Sequence, residues 1–515
     1  MDYISPASFW IDGNDESRAK TKTPSKIEPN THVDVAVVGA GITGLTTALH
    51  LKNAGKRVAV LEAGLLGAGT TGGTSGHLDA LPEQGPAELI DDFGARDAAR
   101  AVAARSEAID QIERWAEQFA SSADFARVPA YLYTEAPERA GAFDKTRELL
   151  DQLGLDVSPV DHLPTPVSCA AAIRVERQAR FHPLRYLRGL AAAVEGGSAS
   201  IYLHTRVLRQ PVDGSPCRLE TDRGDLTADQ VVLATHSAFF GLSQLDLRVA
   251  PYQSYVMAVE VDDSPDDALY WDDASPYHYT RLASSEEPGL IVVGGGDHKT
   301  GQADDTREHF AAMERYVQER WQVRAIRQRW SAEFFEPADG LPLVGPMPLS
   351  KRIHAAAGFS GTGLTWGTVA ARLIADRILG RDNPMTTLLS PARIKPVAAA
   401  ADFVKENTNI ASRFVMDRFS GERIESLAAI LPGEGKLVRI HGKRVAAYRA
   451  PDGQVHLLSS LCTHAGCVVN WNQAEQTWDC PCHGGRYTAT GERIYGPPPA
   501  DLERIVIEDQ QPAVR

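Results

Sequence analysis

Apolar residues run almost unbroken through VDVAVV at 33–38 and again through RVAVLEAG at 57–64. Runs of that kind belong to strands buried on both faces, as in a parallel sheet. Between them lie a Gly-rich turn and TGLTTALHLKNAGK (43–56), whose apolar positions recur at helical spacing, so the segment predicts one βαβ unit. Residues 86–120 also carry helical periodicity, with Ile109, Ile112 and Trp115 at helical spacing. DQVVLATHS (229–237) returns to the parallel-strand texture. The stretch 250–335 mixes short strands with a helix at TREHFAAMERYVQERW, which predicts a second, mostly antiparallel layer. Over 336–380 the pattern is loop, strand, Gly-rich turn and the helix WGTVAARLIADRILG, with Gly380 as its C-cap. Pro384, Pro391 and Pro396 mark a boundary, and a helix near 397–418 is expected to bridge the two halves. From about 425 the texture is short strands separated by Gly and Pro turns.

These textures divide the 515 residues into four parts, as a chain too long for one core requires. They are a polar arm over 1–31 with one anchoring patch at Phe9–Trp10, an α/β domain over 32–380, a linker with a bridging helix over 381–424, and a small all-β domain over 425–515. The α/β domain should contain a mixed or antiparallel subdomain, mainly 80–165 and 245–335. Lys and Arg number 53 against 67 Asp and Glu, a formal charge of −14, so a polyanion would be repelled and no nucleic-acid partner is expected. No stretch reaches the ~18 uninterrupted apolar residues of a transmembrane helix. The first twenty residues also lack the basic and apolar segments of a secretory signal. A cytoplasmic protein with no transmembrane segment is expected.

Six cysteines are few for this length, and four crowd into 462–482, which points to a metal site more than a disulfide framework. The pattern is Cys462-Thr-His464, fifteen residues, then Cys480-Pro-Cys-His483. Two thiolates and two imidazoles suit a [2Fe–2S] cluster with Cys₂ on one iron and His₂ on the other. Zinc is the competitor, because it takes the same donors. The surrounding CTHAGC and CPCHGG closely resemble the Rieske family of the cytochrome bc type. That resemblance implies Cys462, His464, Cys480 and His483 as ligands and a disulfide between Cys467 and Cys482. It also implies a proline-rich cover over the cluster at Pro497–Pro499, where a plain turn is the alternative. Both histidines are expected to reach solvent so that an electron partner can approach. Gly485 stands where the respiratory members have Ser, while Tyr487 is kept. Loss of a hydroxyl donor to a cluster sulfur predicts a lower potential here.

Gly39-Ala40-Gly41-Ile42-Thr43-Gly44 follows a strand and opens a helix, and the acid Glu62 ends the second strand. Gly39 permits the tight turn, Gly41 a close approach to pyrophosphate, Gly44 close helix–strand packing, and Glu62 can accept ribose hydroxyls. This motif alone does not separate FAD from NAD. VVLATHS (231–237) resembles the second FAD motif of glutathione reductase-like flavoproteins, and Val207 matches the residue whose backbone meets adenine. PADGLPLVG (337–345) and AAAGFSGTGLTWG (355–367) resemble the closing signature of the D-amino-acid oxidase superfamily, which includes glycine and sarcosine oxidising enzymes. The resemblance spans roughly 33–382. It implies FAD in an α/β, glutathione reductase-like fold, held by Gly39, Gly41, Ile42, Thr43, Gly44, Glu62, Thr70, Thr71, Val207, Ala234, Thr235, Gly361, Gly363, Leu364 and Thr365. GAGTTGGTSGHLDA (67–80) should line the flavin ring, and its His77 is a candidate acid–base group or a packed side chain.

For substrate, Tyr277, Tyr279 and Arg281 in PYHYTR offer hydroxyls and a guanidinium able to grip a carboxylate, with His298 beyond the Gly294–Gly296 turn. His77, Tyr279 and Arg281 are the candidate catalytic residues. Together the halves predict an FAD-dependent oxidoreductase that oxidises a small amine or amino acid and passes electrons singly through the cluster to an external acceptor. Two other readings are a reductase running the same chain backwards and a non-enzymatic redox relay or sensor.

Overall fold

In the computed structural model, which describes residues 7–11, 26–237, 245, 248–348, 350–393, 427–440 and 442–506, the two apolar runs pair as parallel strands. Thr31–Val38 lies beside Val58–Leu61, in register from Val35–Val58 to Val38–Leu61. The sheet continues through Ala199–Tyr202 on one side, and through Leu226–Leu233, Ile353–Ala357 and the antiparallel Leu343–Pro346 on the other. The helix Ile42–Asn53 crosses directly above Gly39: a Cβ on Gly44 would sit 1.9 Å from the Gly39 carbonyl oxygen. That contact fixes helix to strand as the glycine spacing predicts. The helical stretch 86–120 is two helices, Pro86–Phe93 and Ala95–Phe119, broken at Gly94, whose φ of 78° suits glycine.

The second layer is a largely antiparallel sheet of nine strands among the described residues. Its longest members are Val249–Val261 and Val323–Pro337, 13 and 15 residues, where the sequence suggests short strands. The alternation is hidden because both faces are covered. Val256 and Ala258 point into the main core, whereas Met257, Val259 and Val261 pack with Met313 and Val317 of the helix Arg307–Arg320. Gly294–Gly296 is strand rather than turn, within Leu290–Lys299. The sheet also takes in Ala171–Arg180 and His77–Leu78, beyond the expected 80–165 boundary.

Of the arm, residues 7–11 carry the expected anchor. Trp10 is buried, and its indole N–H donates to the Thr74 carbonyl. The predicted bridging helix at 397–418 lies outside the described residues. The C-terminal region is all β, as expected: a three-stranded sheet from Glu434–Ile440, Lys443–Arg449 and Val455–Ser459, and a four-stranded one from Asn470–Asn472, Thr477–Asp479, Arg486–Thr488 and Arg493–Tyr495. It docks on the second layer. Ala474 joins Tyr255 and Phe310 in a small core, the Thr306 hydroxyl donates to Asn472 Oδ1 at 2.8 Å, and Asn470 Nδ2 donates to the Gly301 carbonyl at 2.8 Å.

Candidate functional site

A cavity of about 520 Å³ opens between the two layers. At one end Gly39, Gly41, Ile42 and Thr43 form its floor. A Cβ on Gly39 would meet the Ala234 carbonyl oxygen at 2.5 Å, so the turn admits only glycine there. The N-cap Gly41 has no side chain to cap the helix that follows; Ile42 N–H donates to Thr71 Oγ1 at 3.2 Å, and the helix start lines the cavity with its partial positive charge. The Glu62 carboxylate is pinned at the wall by the Ala40 and Gly64 N–H groups, each at 2.8 Å, and burial pushes its pKa up. Thr70, Thr71, Val207, Ala234, Thr235, Gly361, Gly363 and Leu364 also line the space. Gly44 and Thr365 stand behind the lining. Gly44 serves packing, and the Thr365 hydroxyl is taken by Arg105 Nε and the Thr362 carbonyl.

The other end is walled by rings and acids. His77 lies 5.0 Å from Trp271 and 5.2 Å from Tyr279 between ring centroids, and Tyr277 lies 6.3 Å beyond Tyr279. His77 Nδ1 pairs with Ser75 Oγ at 2.8 Å; burial, reinforced by the charge of Arg281, lowers its pKa well below the usual value, so the ring is neutral. Tyr279 shares a hydrogen bond with Ser254 at 3.2 Å. Two acids outside the expected set complete this end. Glu83 accepts the Gly361 N–H at 2.8 and 2.9 Å, and burial beside Glu336 pushes its pKa up to about 8. Burial pushes Asp297 up to about 6 against the hydroxyls of Ser254 and Tyr277.

Arg281 is not in this wall. Its guanidinium is fully buried, donates to the carbonyls of Ser75, Leu282, Ala283 and Phe181, and lies over the Trp10 ring. The expected carboxylate grip therefore fails on geometry: the charge braces the arm and the flanking loops. His298 is likewise outside the lining, packed beside the stacked rings of Tyr255 and His309.

In the C-terminal domain two loops bring the metal-ligand candidates together. Cys462 and Cys480 are neighbours, and the Cys480 thiol, with help from the Tyr487 hydroxyl and backbone N–H groups, holds the Cys462 thiol down to about 7. The His464 and His483 rings stand 4.8 Å apart. His483 is buried and its ring nitrogens have no hydrogen-bond partner, as a metal ligand's would not. Cys467 and Cys482 are joined in a disulfide between the loops, with Cα atoms 6.5 Å apart. The expectation that both histidines reach solvent is corrected: His464 is half-buried, His483 is 5% exposed, and Gly484 beside it packs on Glu333 and Pro251.

The profile of the FAD dependent oxidoreductase family matches residues 34–377. The chain belongs to that family. A Rieske [2Fe-2S] domain matches 424–506. Over its whole length the chain is similar to YhfW of Bacillus subtilis (strain 168), named a Rieske 2Fe-2S iron-sulfur protein, with 29% identity over 507 residues and 98% of each chain covered. The C-terminal part is 41% identical over 99 residues to the cytochrome b6-f complex iron-sulfur subunit of Trichodesmium erythraeum, covering 19% of this chain and 50% of that one. Among solved structures, glycine oxidase from Geobacillus kaustophilus superposes with a TM-score of 0.58 at 18% identity, over 71% of this chain and 100% of that one. The likeness shows the fold.

The FAD dependent oxidoreductase domain takes FAD, and the residues present fit it: a glycine-led helix start for pyrophosphate, Glu62 for ribose, and a long cavity beyond. The Rieske domain takes a [2Fe–2S] cluster, and the Cys₂His₂ set with its unpartnered His483 nitrogens fits that group. A further feature was illegible in the sequence. Arg493, Ile494, Gly496 and Pro498 of the Rieske domain wall the same cavity. Pro498 also lies against the cluster loop, since a Cβ on Gly485 would meet Pro498 Cγ at 2.5 Å and Cys462 Sγ at 3.3 Å. Among the described residues no helix is long and apolar enough to cross a membrane.

Proposed function

We propose that this protein oxidises a carbon–nitrogen bond of a small amine or amino acid and passes the electrons, one at a time, through its own cluster to an external acceptor. The observation that carries the reading is the shared wall: Pro498 borders the FAD cavity and packs on Gly485, one side chain from Cys462 Sγ. Bound FAD supplies hydride acceptance from substrate carbon. The chain's own contribution is positional. The rings of Trp271 and Tyr279 set the width of the substrate end, and the neutral His77 packs beside them as an uncharged part of that wall. The Rieske domain closes the cavity on the side of Glu333 and Arg493, and so excludes water there.

Anaerobic addition of small amines and amino acids to the full-length holoprotein tests this. The flavin absorbance should bleach first, and the paramagnetic signal of the reduced cluster should follow within the same molecule, independent of protein concentration. A cluster that stays oxidised after the flavin bleaches refutes the internal route. Flavin reduction only when the cluster is reduced first would instead establish the reverse direction.

A further inference from the structure

The substrate end of the cavity has a charge pattern that the family resemblance does not supply. Of the residues lining the whole cavity, Arg206 and Arg493 are the only Lys or Arg among those described. Both lie at the nucleotide end, where Arg206 acts on Glu62 and Arg493 stands near Arg206. The two nearest cations behind the substrate end are spent. Arg281 is committed to backbone carbonyls, and Arg105 to Asp79 at 2.7 Å, the Asp79 and Leu81 carbonyls and Thr365. Among the described residues no cation therefore meets a substrate carboxylate at this end.

What does face the space is the opposite. Glu83 and Asp297 both line it, and Tyr277 joins them: its hydroxyl helps hold Asp297 and lies 3.4 Å from where a Gly361 Cβ would stand, while Glu83 is bonded to the Gly361 N–H. Asp297 Oδ1 is buried with no hydrogen-bond partner among the described residues, an orphan acceptor in a cavity wall. Independently of these acids, the rings of Trp271, Tyr277 and Tyr279 line the same end. Rings flanking carboxylates recognise an ammonium group, because the ring faces and the anions attract the same charge. A carboxylate brought there would meet two acids and no donor cation.

Resting on the amine-oxidation reading above, we propose that the substrate is a cationic amine held by Glu83, Asp297 and the surrounding rings, and that the α-carboxylate of an amino acid has no anchor in this site. The distinction is one of binding class and needs no new chemical step.

The test uses the full-length holoprotein and a matched pair: n-butylamine, and norvaline, which is the same chain carrying an α-carboxylate. Binding is read from ligand-induced perturbation of the flavin absorbance of the oxidised protein, apart from turnover. Butylamine should bind at least about tenfold more tightly than norvaline, and 1,4-diaminobutane more tightly still. At about pH 8.5, where both carboxyls are ionised, Glu83→Gln and Asp297→Asn should each weaken butylamine by about tenfold, with FAD content and thermal unfolding checked to show that the fold survives. Norvaline binding as well as butylamine, or butylamine affinity unchanged in both variants, overturns the assignment. A response to a hydroxy acid with none to either nitrogen compound overturns the amine-oxidation reading itself.

Discussion

Glu475 is the residue through which the two redox domains can be loosened without touching either cofactor pocket. Its Oε2 takes Arg486 Nη2 at 2.7 Å within the Rieske domain, and across the seam Ser331 Oγ at 2.7 Å and Gln253 Nε2 at 2.5 Å. Glu475→Gln keeps the shape and removes the charge. A hydrogen bond to a charged group is worth about 1.5–3 kcal/mol against about 0.5–1.5 for a neutral one, so each of the two seam bonds loses about 1 kcal/mol. Arg486 keeps Asp479 at 3.0 Å, which limits the damage inside the domain. The docked state then loses about 2 kcal/mol, about 30-fold in its ratio to the undocked one. Glu475→Lys, with a like charge set against Arg486, should extend the loss. Stopped-flow absorbance reports flavin reduction, and rapid-freeze paramagnetic spectra report cluster reduction. Flavin bleaching should keep its rate, because Glu475 does not line the cavity, while cluster reduction slows. Wild-type cluster reduction in both variants would refute the claim that this seam positions electron transfer.

Three more outcomes follow from the geometry. Gly485→Ser places a Cβ 2.5 Å from Pro498 Cγ, so overpacking should cost about 1–3 kcal/mol, shift the flavin absorbance through the moved cavity wall and raise the cluster potential; a redox titration and flavin spectrum both matching wild type would reject this. Arg281→Ala strands the buried carbonyls it now serves and should destabilise by about 3 kcal/mol in thermal unfolding, leaving KM for amines unchanged; a raised KM with an unchanged melting temperature would return Arg281 to the substrate. Glu83 and Asp297, raised to about 8 and about 6 from 4.5 and 3.8, hold protons in the fold that the unfolded chain has released, so the amine-free holoprotein should lose stability as pH rises from about 4 to about 8. Burial, then Glu336 and Asp297, push Glu83 up while the Gly361 N–H and Arg105 oppose this; burial pushes Asp297 up while Ser254, Tyr277 and His278 oppose it. Thermal stabilisation by saturating butylamine should therefore grow from pH 6 to pH 8, and a flat profile would exclude these carboxyls.

What the chain states locally, it states plainly. Gly39, Gly41 and Gly44 are readable because each answers to one backbone approach, and the Cys–His spacing is readable because ligands of one cluster come from two short loops. The long strands Val249–Val261 and Val323–Pro337 were less legible, since a strand covered on both faces loses its alternation and bulges shift its register. Arg281 misled for a related reason. An Arg among tyrosines in sequence suggests a grip on anions, but Arg281, on the same strand face as Tyr279 and two residues further along, lies past the cavity wall against Phe181 and Trp10. Glu83 and Asp297 had no local signal, because they meet only when the loop after His77–Leu78 folds against the strand Leu290–Lys299 and the start of the helix Gly363–Ile378.

The burial of His483 has its own logic. In the proposed reading the electron source is in the same chain, and the loop carrying His483 is laid against Glu333 and Pro251, next to the FAD cavity. Gly484 shows how tight that seating is: a Cβ there would sit 2.4 Å from Glu333 Oε1 and 2.8 Å from Pro251 Cβ. A histidine edge turned inward removes one docking surface and leaves the half-buried His464 as the ligand nearer to solvent. The two imidazoles are chemically alike and positionally unlike, and the asymmetry follows from the packing of the His483 loop on Glu333 and Pro251.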